Sequence, residues 1–524
     1  MLFTLKQASE WASQHLQKNV TPANINYLIQ YGRIEAVVQN GVALIPKESL
    51  VGYYNASLKP REALWKAELG EELNWALSFE EVKEAETTKH VHRLHPYKGK
   101  FIPQLVAYFL DTHTDAFKQE TCFQPGDIVL DPFCGSGTTL IESNEQGMHA
   151  IGVDVSAFNA FLGNAKAATY DFVQLWEASR EITAALRHFY SRNGVFTFEE
   201  KLAETLADFN NQYFSISFKS KVRTGQIEQK RYGAEKEAEF LNTYRQLVAD
   251  YGIDVQMQTD SASFMKQWYL PGVRAEIDFV HRLINKVEHH GTRSALMLIL
   301  SRTLRSCRAT THADLGTLRE PVTTPYYCRK HGKICKPLFS ILRWWERYSK
   351  DSIQRWVEFS KLKTDTFQHC LTGDSRTINI VAMLRQAHPQ LAELAQTQRI
   401  KGIFTSPPYV GLINYHEQHA YAYELFGLKR LDELEIGPLF RGKGRAARES
   451  YIHGVTEVLK NCKQVLAVDY DVFVVANDKF NMYPTIAEAA GMRIVRQYKR
   501  PVLNRTEKNW ESTYCETIFH LKNS

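Results

Sequence analysis

The stretch that most restricts what this chain can fold into runs from Asp127 to Asp154. Asp127-Ile128-Val129-Leu130 is a short apolar strand, Asp131-Pro132-Phe133-Cys134-Gly135-Ser136-Gly137 a tight turn, and Thr138-Thr139-Leu140-Ile141-Glu142 the start of a helix. Ala150-Ile151-Gly152-Val153 is a second strand, closed by Asp154. Strand, glycine-rich turn, helix and strand in so short a span form a βαβ unit. Strands joined this way lie parallel in a sheet covered by helices on both faces. The glycines let the backbone approach a ligand closely, and free N–H groups at the helix N-terminus face it.

The turn lacks the full G-x-G-x-x-G pattern and has no Gly-Lys-Thr, which argues against a pyrophosphate or a nucleoside triphosphate. Asp131, at the strand end, suits a ligand carrying positive charge. Asp154 lies 23 positions later, about where such folds set a carboxylate on ribose hydroxyls. A ribose and a cationic amino-acid end describe S-adenosylmethionine better than NAD.

A second turn stands far downstream. Thr405-Ser406-Pro407-Pro408-Tyr409 comes after Ile403-Phe404, the end of a buried strand. The two prolines stiffen the turn and remove backbone donors, so that carbonyls can point into a site. Ser406 Oγ and the Pro407 carbonyl can both accept hydrogens from one amino group, while Tyr409 offers a ring for a flat group to stack on. That is a pocket for a planar heterocycle with an exocyclic amine, such as a nucleobase. The alternative is that this is a turn and nothing more.

Asp131-Pro132-Phe133-Cys134-Gly135-Ser136-Gly137-Thr138-Thr139, then Gly152-Val153-Asp154, and later Thr405-Ser406-Pro407-Pro408-Tyr409 together resemble the DNA amino-methyltransferases of restriction–modification systems. The resemblance implies a doubly wound, Rossmann-like α/β methyltransferase sheet. It implies S-adenosylmethionine held by Asp131, Pro132, Phe133, Gly135, Ser136, Gly137, Thr138 and Asp154. Lys98 to Pro103 resembles the family's segment beside the methionine end of the cofactor, which adds Lys100, Phe101 and Pro103. Asp374, in Leu371-Thr372-Gly373-Asp374-Ser375, stands after the third strand of such a sheet and would reach the cofactor's adenine amine. Asp374 is also read as a cap for a helix beginning near Thr377. Ser406, Pro407, Pro408 and Tyr409 would be catalytic.

Within the resembled family Ser-Pro-Pro-Tyr is more frequent for cytosine N4, whereas Asp-Pro-Pro-Tyr and Asn-Pro-Pro-Tyr dominate for adenine N6. The reading taken is therefore methylation of cytosine N4 in duplex DNA, with adenine N6 as the alternative. No Pro-Cys nucleophile motif is present, and transfer to nitrogen needs no covalent enzyme intermediate; Cys134 is read as a small packed side chain. An RNA amino-methyltransferase uses similar loops. A rival of another class is a non-catalytic DNA-binding regulator, against which stand the intact Asp131, Gly135, Gly137, Asp154, Ser406, Pro407 and Tyr409.

Around these turns the chain divides into residues 1–60, 61–165 (the cofactor half), 166–365 and 366–524 (the catalytic half). Residues 1–60 show helices after Thr4 and after Thr21-Pro22, the second ended by Gly32-Arg33-Ile34. Strands at Ala36-Val37-Val38 and Val42-Ala43-Leu44-Ile45 flank an Asn40-Gly41 hairpin signal, and a helix opens at Pro46. This resembles a winged helix-turn-helix of the excisionase and MerR type, with a helical interaction module as the alternative. A charged helical stretch from Arg61 to Glu86 leads to the segment His95 to Leu105 and a helix to Leu110. The insertion 166–365 opens helically from Leu175 to Tyr190. It carries Lys219, Lys221, Arg223, Lys230 and Arg231, then Arg302, Arg305 and Arg308 among hydroxyls, then Arg343-Trp344-Trp345-Glu346-Arg347-Tyr348. By resemblance it is the target-recognition region, since cofactor loop, recognition region and catalytic turn is one of the family's circular orders.

In the catalytic half a helix through Val381, Leu384, Leu391 and Leu394 is expected. An aromatic helix is expected around Asn414 to Leu428, a mobile basic loop from Gly437 to Arg448, and strands at Asp471–Ala476 and Glu516–Leu521. His416, His419 and His453 are read as structural. Cys328, His331 and Cys335 are zinc candidates, with Cys307 or His312 as a fourth. The six-residue gap between the cysteines is irregular for structural zinc, and the reading taken is cysteines packed in a basic turn, with no metal. Net charge is +6 with a pI near 8.7, compatible with a polyanionic partner without demanding one. No apolar run approaches a membrane span, and eight cysteines in 524 residues are too sparse for a disulfide framework. The expectation is a cytoplasmic protein without a membrane. Its partner is duplex DNA, and any cognate restriction endonuclease is a separate chain, since no metal-carboxylate nuclease motif stands out.

Overall fold

The computed structural model describes the chain except residues 17–18, 31–32, 40–41, 58–72, 80, 98, 193, 216, 260, 313, 315–317 and 503–513. The chain forms two compact units. The first comprises Trp65–Ile182, His281–Thr303 and Trp345–Ser524; the second comprises Met1–Leu64, Thr183–Val280 and Leu304–Trp344.

The first unit is built on a seven-stranded sheet. Its strands, numbered here in chain order, are β1 (Ile128–Asp131), β2 (His149–Asp154), β3 (Gln368–Thr372), β4 (Ile400–Thr405), β5 (Leu466–Ala476), β6 (Met492–Val502) and β7 (Tyr514–Asn523). They lie in the order β6-β7-β5-β4-β1-β2-β3. β7 alone runs against the others, antiparallel to both β5 and β6. β1 is apolar without alternation because both its faces are covered. Ile128 and Leu130 join Ile403, Val472 and Val474 under the helices Arg445–Lys463 and Tyr483–Ala489. Val129 points the other way, to Phe109, Phe404 and Phe473 under the helix Pro103–Leu110. The sheet is the doubly wound, Rossmann-like one expected.

Strand order reverses between β1 and β4. The chain goes from β1 outward to β2 and β3, then returns to lay β4 on the other side of β1. In open α/β sheets a crevice opens at that switch point, outside the carboxyl ends of the strands. The two turns singled out in the sequence both stand there.

Several local expectations are corrected. The helix through Val381 and Leu394 is two helices, Ile380–Ala387 and Pro389–Thr397, because Pro389 cannot continue the first and starts the second. The residue capping the first of these is Asn379, whose Oδ1 accepts from the Ala382 N–H at 3.0 Å, not Asp374. The aromatic segment is also two helices, Tyr415–Gln418 and Ala420–Phe426. The basic stretch after Gly437 is a 3-10 turn, Leu439–Arg441, and then a helix that already includes Arg445 and Arg448. β6 was not foreseen: it is an edge strand rich in Arg, Gln and Lys with Pro501 near its end, and edge strands tolerate both. Within Arg61 to Glu86, residues 61–72 and 80 lie outside the described residues. The remainder of that stretch holds a short 3-10 turn, Trp75–Ser78, and one helical turn, Glu84–Thr87, in place of a continuous helix. Lys98 also lies outside the described residues.

In the second unit the first residues form a module with its own core. Helices Leu5–Leu16 and Pro22–Gln30 precede strands Val37–Gln39 and Val42–Pro46 and the helix Lys47–Ser57. Thr4 and Gln7 cap reciprocally, Thr4 N–H donating to Gln7 Oε1 at 2.9 Å and Gln7 N–H to Thr4 Oγ1 at 3.3 Å. Thr21 and Asn24 repeat the arrangement. Leu2–Phe3 adds an unforeseen strand against Ile45 and Pro46. Ala8, Ala12, Ile25, Leu28, Ile34, Ile45 and Leu50 close the core. The Asn40-Gly41 turn signal and Gly32 lie outside the described residues.

The insertion contributes the helices Val195–Tyr213 and Gln229–Asp250 and a hairpin of Tyr326–Cys328 with Lys333–Cys335 to the second unit. Two of the arginines noted in the sequence are not on the surface. In the first unit Arg302 is buried, pairs with Asp351 at 2.6 Å and lies over the Tyr348 ring. In the second, Arg308 is buried and donates to the Arg305 carbonyl at 3.0 Å. Among the described residues no helix is long and apolar enough to cross a membrane, and all eight cysteines are free thiols.

Candidate active site

The loops after β1, β2, β3 and β4 meet around one cleft of about 830 Å³, counted out to its open mouth. The β1 loop supplies Pro132, Phe133, Gly135, Ser136 and Thr138; β2 ends in Asp154; Asp374 lies just past β3; Ser406 and Pro408 lie just past β4. Lys100 and Phe101 complete the wall from the segment before the helix Pro103–Leu110. The motif residues, separated by up to three hundred positions, thus converge.

Backbone geometry shapes the β1 loop. Gly135 and Gly137 have φ of +51° and +77°, a region that glycine enters without strain. A Cβ on Gly137 would lie 2.9 Å from the Gly163 backbone, so the helix Thr138–Glu145 can start only from a glycine. The loop is tied to its neighbours: Cys134 N–H donates to the Val153 carbonyl at 3.0 Å, and Ser375 Oγ to the Pro132 carbonyl at 2.6 Å.

Asp154 lies against the cleft with its carboxylate oriented by three donors. Gly135 N–H reaches Oδ2 at 2.7 Å; Ser156 N–H and Asn159 Nδ2 reach Oδ1 at 2.9 and 3.1 Å. Burial pushes its carboxyl up to about 6, against the pull of these donors. Asp374 is held by Arg376, whose Nη2 lies 2.7 Å from Oδ2. Lys100 Nζ donates to the His92 carbonyl at 2.7 Å, and burial lowers its ammonium to about 8.

Five expected residues are not among those lining the cleft. Asp131 is fully buried; its oxygens accept from Thr139 Oγ1 and Thr405 Oγ1, each at 2.6 Å, and from the Phe133 N–H at 3.1 Å. It therefore locks β1, its helix and β4 together at the switch point, and burial pushes it up to about 6. Pro103 opens a buried helix, and Gly137 makes the close approach to Gly163. Pro407 is buried. Tyr409 donates through its hydroxyl to Glu516 Oε1 at 2.7 Å, and Glu516 Oε2 takes the Arg500 Nε–H at 3.0 Å. The tyrosine ring is thus anchored on a buried ion pair of β6 and β7.

Other lining residues went unnoticed as site residues in the sequence. Tyr97, Asn159, Tyr415, His416 and Glu435 all line the cleft. His416 is fully buried with Nδ1 against Glu435, whose carboxylate also accepts the His416 N–H at 2.7 Å and the Tyr415 N–H at 3.2 Å. No motif announces them; only the fold brings them in. Cys134 also lines the cleft, and its hydrogen bond to Cys370 together with burial pushes the thiol well up, so it is no thiolate.

Comparison with known proteins supplies the family. Residues 36–160 match the DNA methylase family and residues 112–266 match the RMKL-like methyltransferase domain. The type II methyltransferase M.MjaII of Methanocaldococcus jannaschii is 42% identical over 99% of this chain and 97% of its own length. The chain belongs to the type II methyltransferases. The type II methyltransferase M.MvaI of Kocuria varians is 30% identical over 19% of this chain and 21% of its own. No solved structure matches the chain.

These methyltransferases use S-adenosylmethionine, and the cleft fits that group. Ser136 Oγ and Thr138 Oγ1 are buried beside it with no hydrogen-bond partner among the described residues, as donors awaiting a ligand would be. The helix that starts at Gly137 has no side-chain cap on its first N–H groups. Asp154 lines the same cleft as an acceptor already oriented by the Gly135 N–H.

Proposed function

We propose that this methyltransferase acts on duplex DNA at a specific site and methylates the exocyclic N4 amine of cytosine. The observation that carries the reading is one cleft bounded by both the β1 loop and Ser406. S-adenosylmethionine, when bound, supplies a methyl group on a sulfonium. Lys100, Phe101, Phe133, Gly135, Ser136, Thr138, Asp154 and Asp374 are its holders in this reading, with Pro103, Asp131, Pro132 and Gly137 shaping the wall. Support comes from the lining position of most of them.

Ser406 Oγ and the Pro407 carbonyl accept the two hydrogens of the target amine. That draws the nitrogen lone pair out of the ring's conjugation and aims it away from the acceptors. A base reaches these groups only after leaving the duplex. Tyr409 takes the flipped base on its ring, and the Tyr409–Glu516–Arg500 chain fixes that ring's plane. Alignment of this kind accounts for much of the acceleration, and acceptors around the amine offset the positive charge that develops on it. Pro408 stiffens the turn, so the acceptors are held in place before the base arrives.

The choice of cytosine rests on serine, rather than an acid or amide, at position 406. The N-terminal module is a winged helix-turn-helix that contacts DNA in this reading, and the insertion 166–365 reads the target sequence. Modification of this kind protects DNA from a separate cognate endonuclease, in a reducing cytoplasm that keeps the eight thiols free.

Transfer of label from S-adenosylmethionine to unmethylated genomic DNA, with the nucleosides then separated, tests this reading. N4-methylcytosine is expected, and Ser406→Ala should lower its rate about a hundredfold, the loss expected when one aligning contact is removed. N6-methyladenine would retire the serine argument. Label in RNA, or none in nucleic acid, would overturn the proposal.

A further inference from the structure

The cysteines at 328 and 335 look badly spaced for a metal when counted along the chain, but the fold removes the irregularity. They stand on facing strands of one hairpin, Tyr326–Cys328 and Lys333–Cys335, whose register pairs Tyr326 with Cys335 and Cys328 with Lys333. Two positions apart across the ladder, they project on the same face. The turn between them closes with Gly332 N–H donating to the Cys328 carbonyl at 2.7 Å, and it carries His331. His312 comes from the preceding loop. One ligand atom from each of His312, Cys328, His331 and Cys335 lies within 4.8 Å of every other. Cys307, the other candidate fourth ligand, is not among them.

We propose that His312, Cys328, His331 and Cys335 bind one structural zinc ion. Two thiolates and two imidazoles are a donor set that selects zinc over the hard cations, which take oxygen. Four protein ligands leave no open position, which separates a structural site from a catalytic one. The spacing fits: His331 Nδ1 lies 3.3 Å from Cys335 Sγ, against about 3.6 Å for the N···S edge of a tetrahedron with ordinary zinc distances. His312 carries an outer partner of the usual kind. Its Nδ1 is 2.8 Å from the Tyr326 hydroxyl, which orients the ring and leaves Nε2 for the metal. Cys328 and Cys335 are buried, so the sulfurs are shielded, while His312 at the rim gives the ion an entry path.

The site answers a stability question that packing alone leaves open. A hairpin of two three-residue strands is marginal by itself. It is braced on one side, where the Asn210 side chain donates to the Ile334 carbonyl and accepts the Ile334 N–H, each at 3.0 Å, and Glu237 accepts the Tyr327 N–H. The metal would close the other side and tie the hairpin to the loop at His312. In this way it would set the shape of part of the inserted region without touching the methyl-transfer cleft.

The test uses the full-length protein purified without chelator. Elemental analysis is expected to find about one zinc per chain, lost in Cys328→Ser and in Cys335→Ser but kept in Cys515→Ser, whose thiol is far off in sequence and outside the cluster. Should the serine variants fail to fold, the wild-type protein still decides. Stripped of metal and titrated with cobalt(II) alone, it should develop tetrahedral ligand-field bands and thiolate charge-transfer bands that saturate at about one equivalent. Zinc retained by both serine variants, no tetrahedral cobalt spectrum, or a Cys328–Cys335 disulfide in protein kept under reductant would each overturn the proposal.

Discussion

Asp154 gives the cleft a pH signature in the acid range. Its folded carboxyl is raised from 3.8 to about 6 by burial. Between those values the folded apo-protein holds a proton that the unfolded chain has released. This group's stabilising contribution is therefore fully present below about 4 and is lost as pH rises through about 6. Asp131 adds a change of the same sign in the same window. A ribose donating to Asp154 reverses the preference, because hydroxyl donors favour the ionised carboxylate. The stabilisation conferred by S-adenosylmethionine should therefore grow from pH 5 to pH 7, read as the difference in Tm with and without cofactor. Asp154→Asn should weaken cofactor binding by about ten- to a hundredfold, the worth of one or two hydrogen bonds to a charged group, and should flatten that rise. A rise unchanged in Asp154→Asn would remove Asp154 from the cofactor's contacts. Asp154 was legible in the sequence because strand, turn, helix and strand are contiguous there. Glu435 and His416 were not, because their approach to Asp154 depends on packing across more than two hundred and fifty positions.

The same contrast runs through the elements. β1, the helix after it and β4 could be read because apolar runs and glycines mark them locally. β6 could not, since an edge strand carries polar side chains and a proline without penalty. The pair of helices around Pro389 read as one because their apolar spacing continues through the break. Cys328 and Cys335 are irregularly spaced along the chain, but the hairpin sets their spacing across it. The packing of the β1 loop on the helix Ala157–Ala167 gives a direct test of the loop's architecture. Gly137→Ala places a methyl 2.9 Å from the Gly163 Cα at a φ of +77°. Positive φ costs about 1–2 kcal/mol and overpacking about 1–3 kcal/mol, so a loss of about 2–5 kcal/mol is expected in denaturant melts. Gly163→Ala meets only ordinary contacts, at 3.5 Å from Cys370 Cβ and 3.8 Å from the Gly137 Cα, within a helix. Helix propensity there favours alanine by up to about 1 kcal/mol, so that variant should be neutral or slightly stabilised. Equal losses in the two variants would mean that the loop does not depend on this approach.

For the whole molecule, the division into units separates the residues that line the cleft from the N-terminal module proposed to hold DNA. Every residue lining the cleft belongs to Trp65–Ile182, His281–Thr303 or Trp345–Ser524, whereas the N-terminal module belongs to the other unit. The module has its own core, its own caps and its own small sheet, and among the described residues its core cluster draws only on the first 54 positions. A chain lacking residues 1–57 should therefore keep its cofactor affinity within about twofold. If the module contacts DNA, as proposed, the same truncation should weaken DNA binding by an order of magnitude or more. The dependence of DNA affinity on salt should also become shallower, because each lost phosphate contact removes about one unit of the slope of log K against log salt. Calorimetry with S-adenosylmethionine and a salt series of DNA titrations give the two readouts independently. Unchanged DNA affinity and slope would assign the module to protein contacts instead, and a collapse of cofactor binding would show that the cleft depends on the module after all. The first outcome would leave duplex recognition to the insertion 166–365, where the exposed Arg343 and Arg347 would be the next residues to replace.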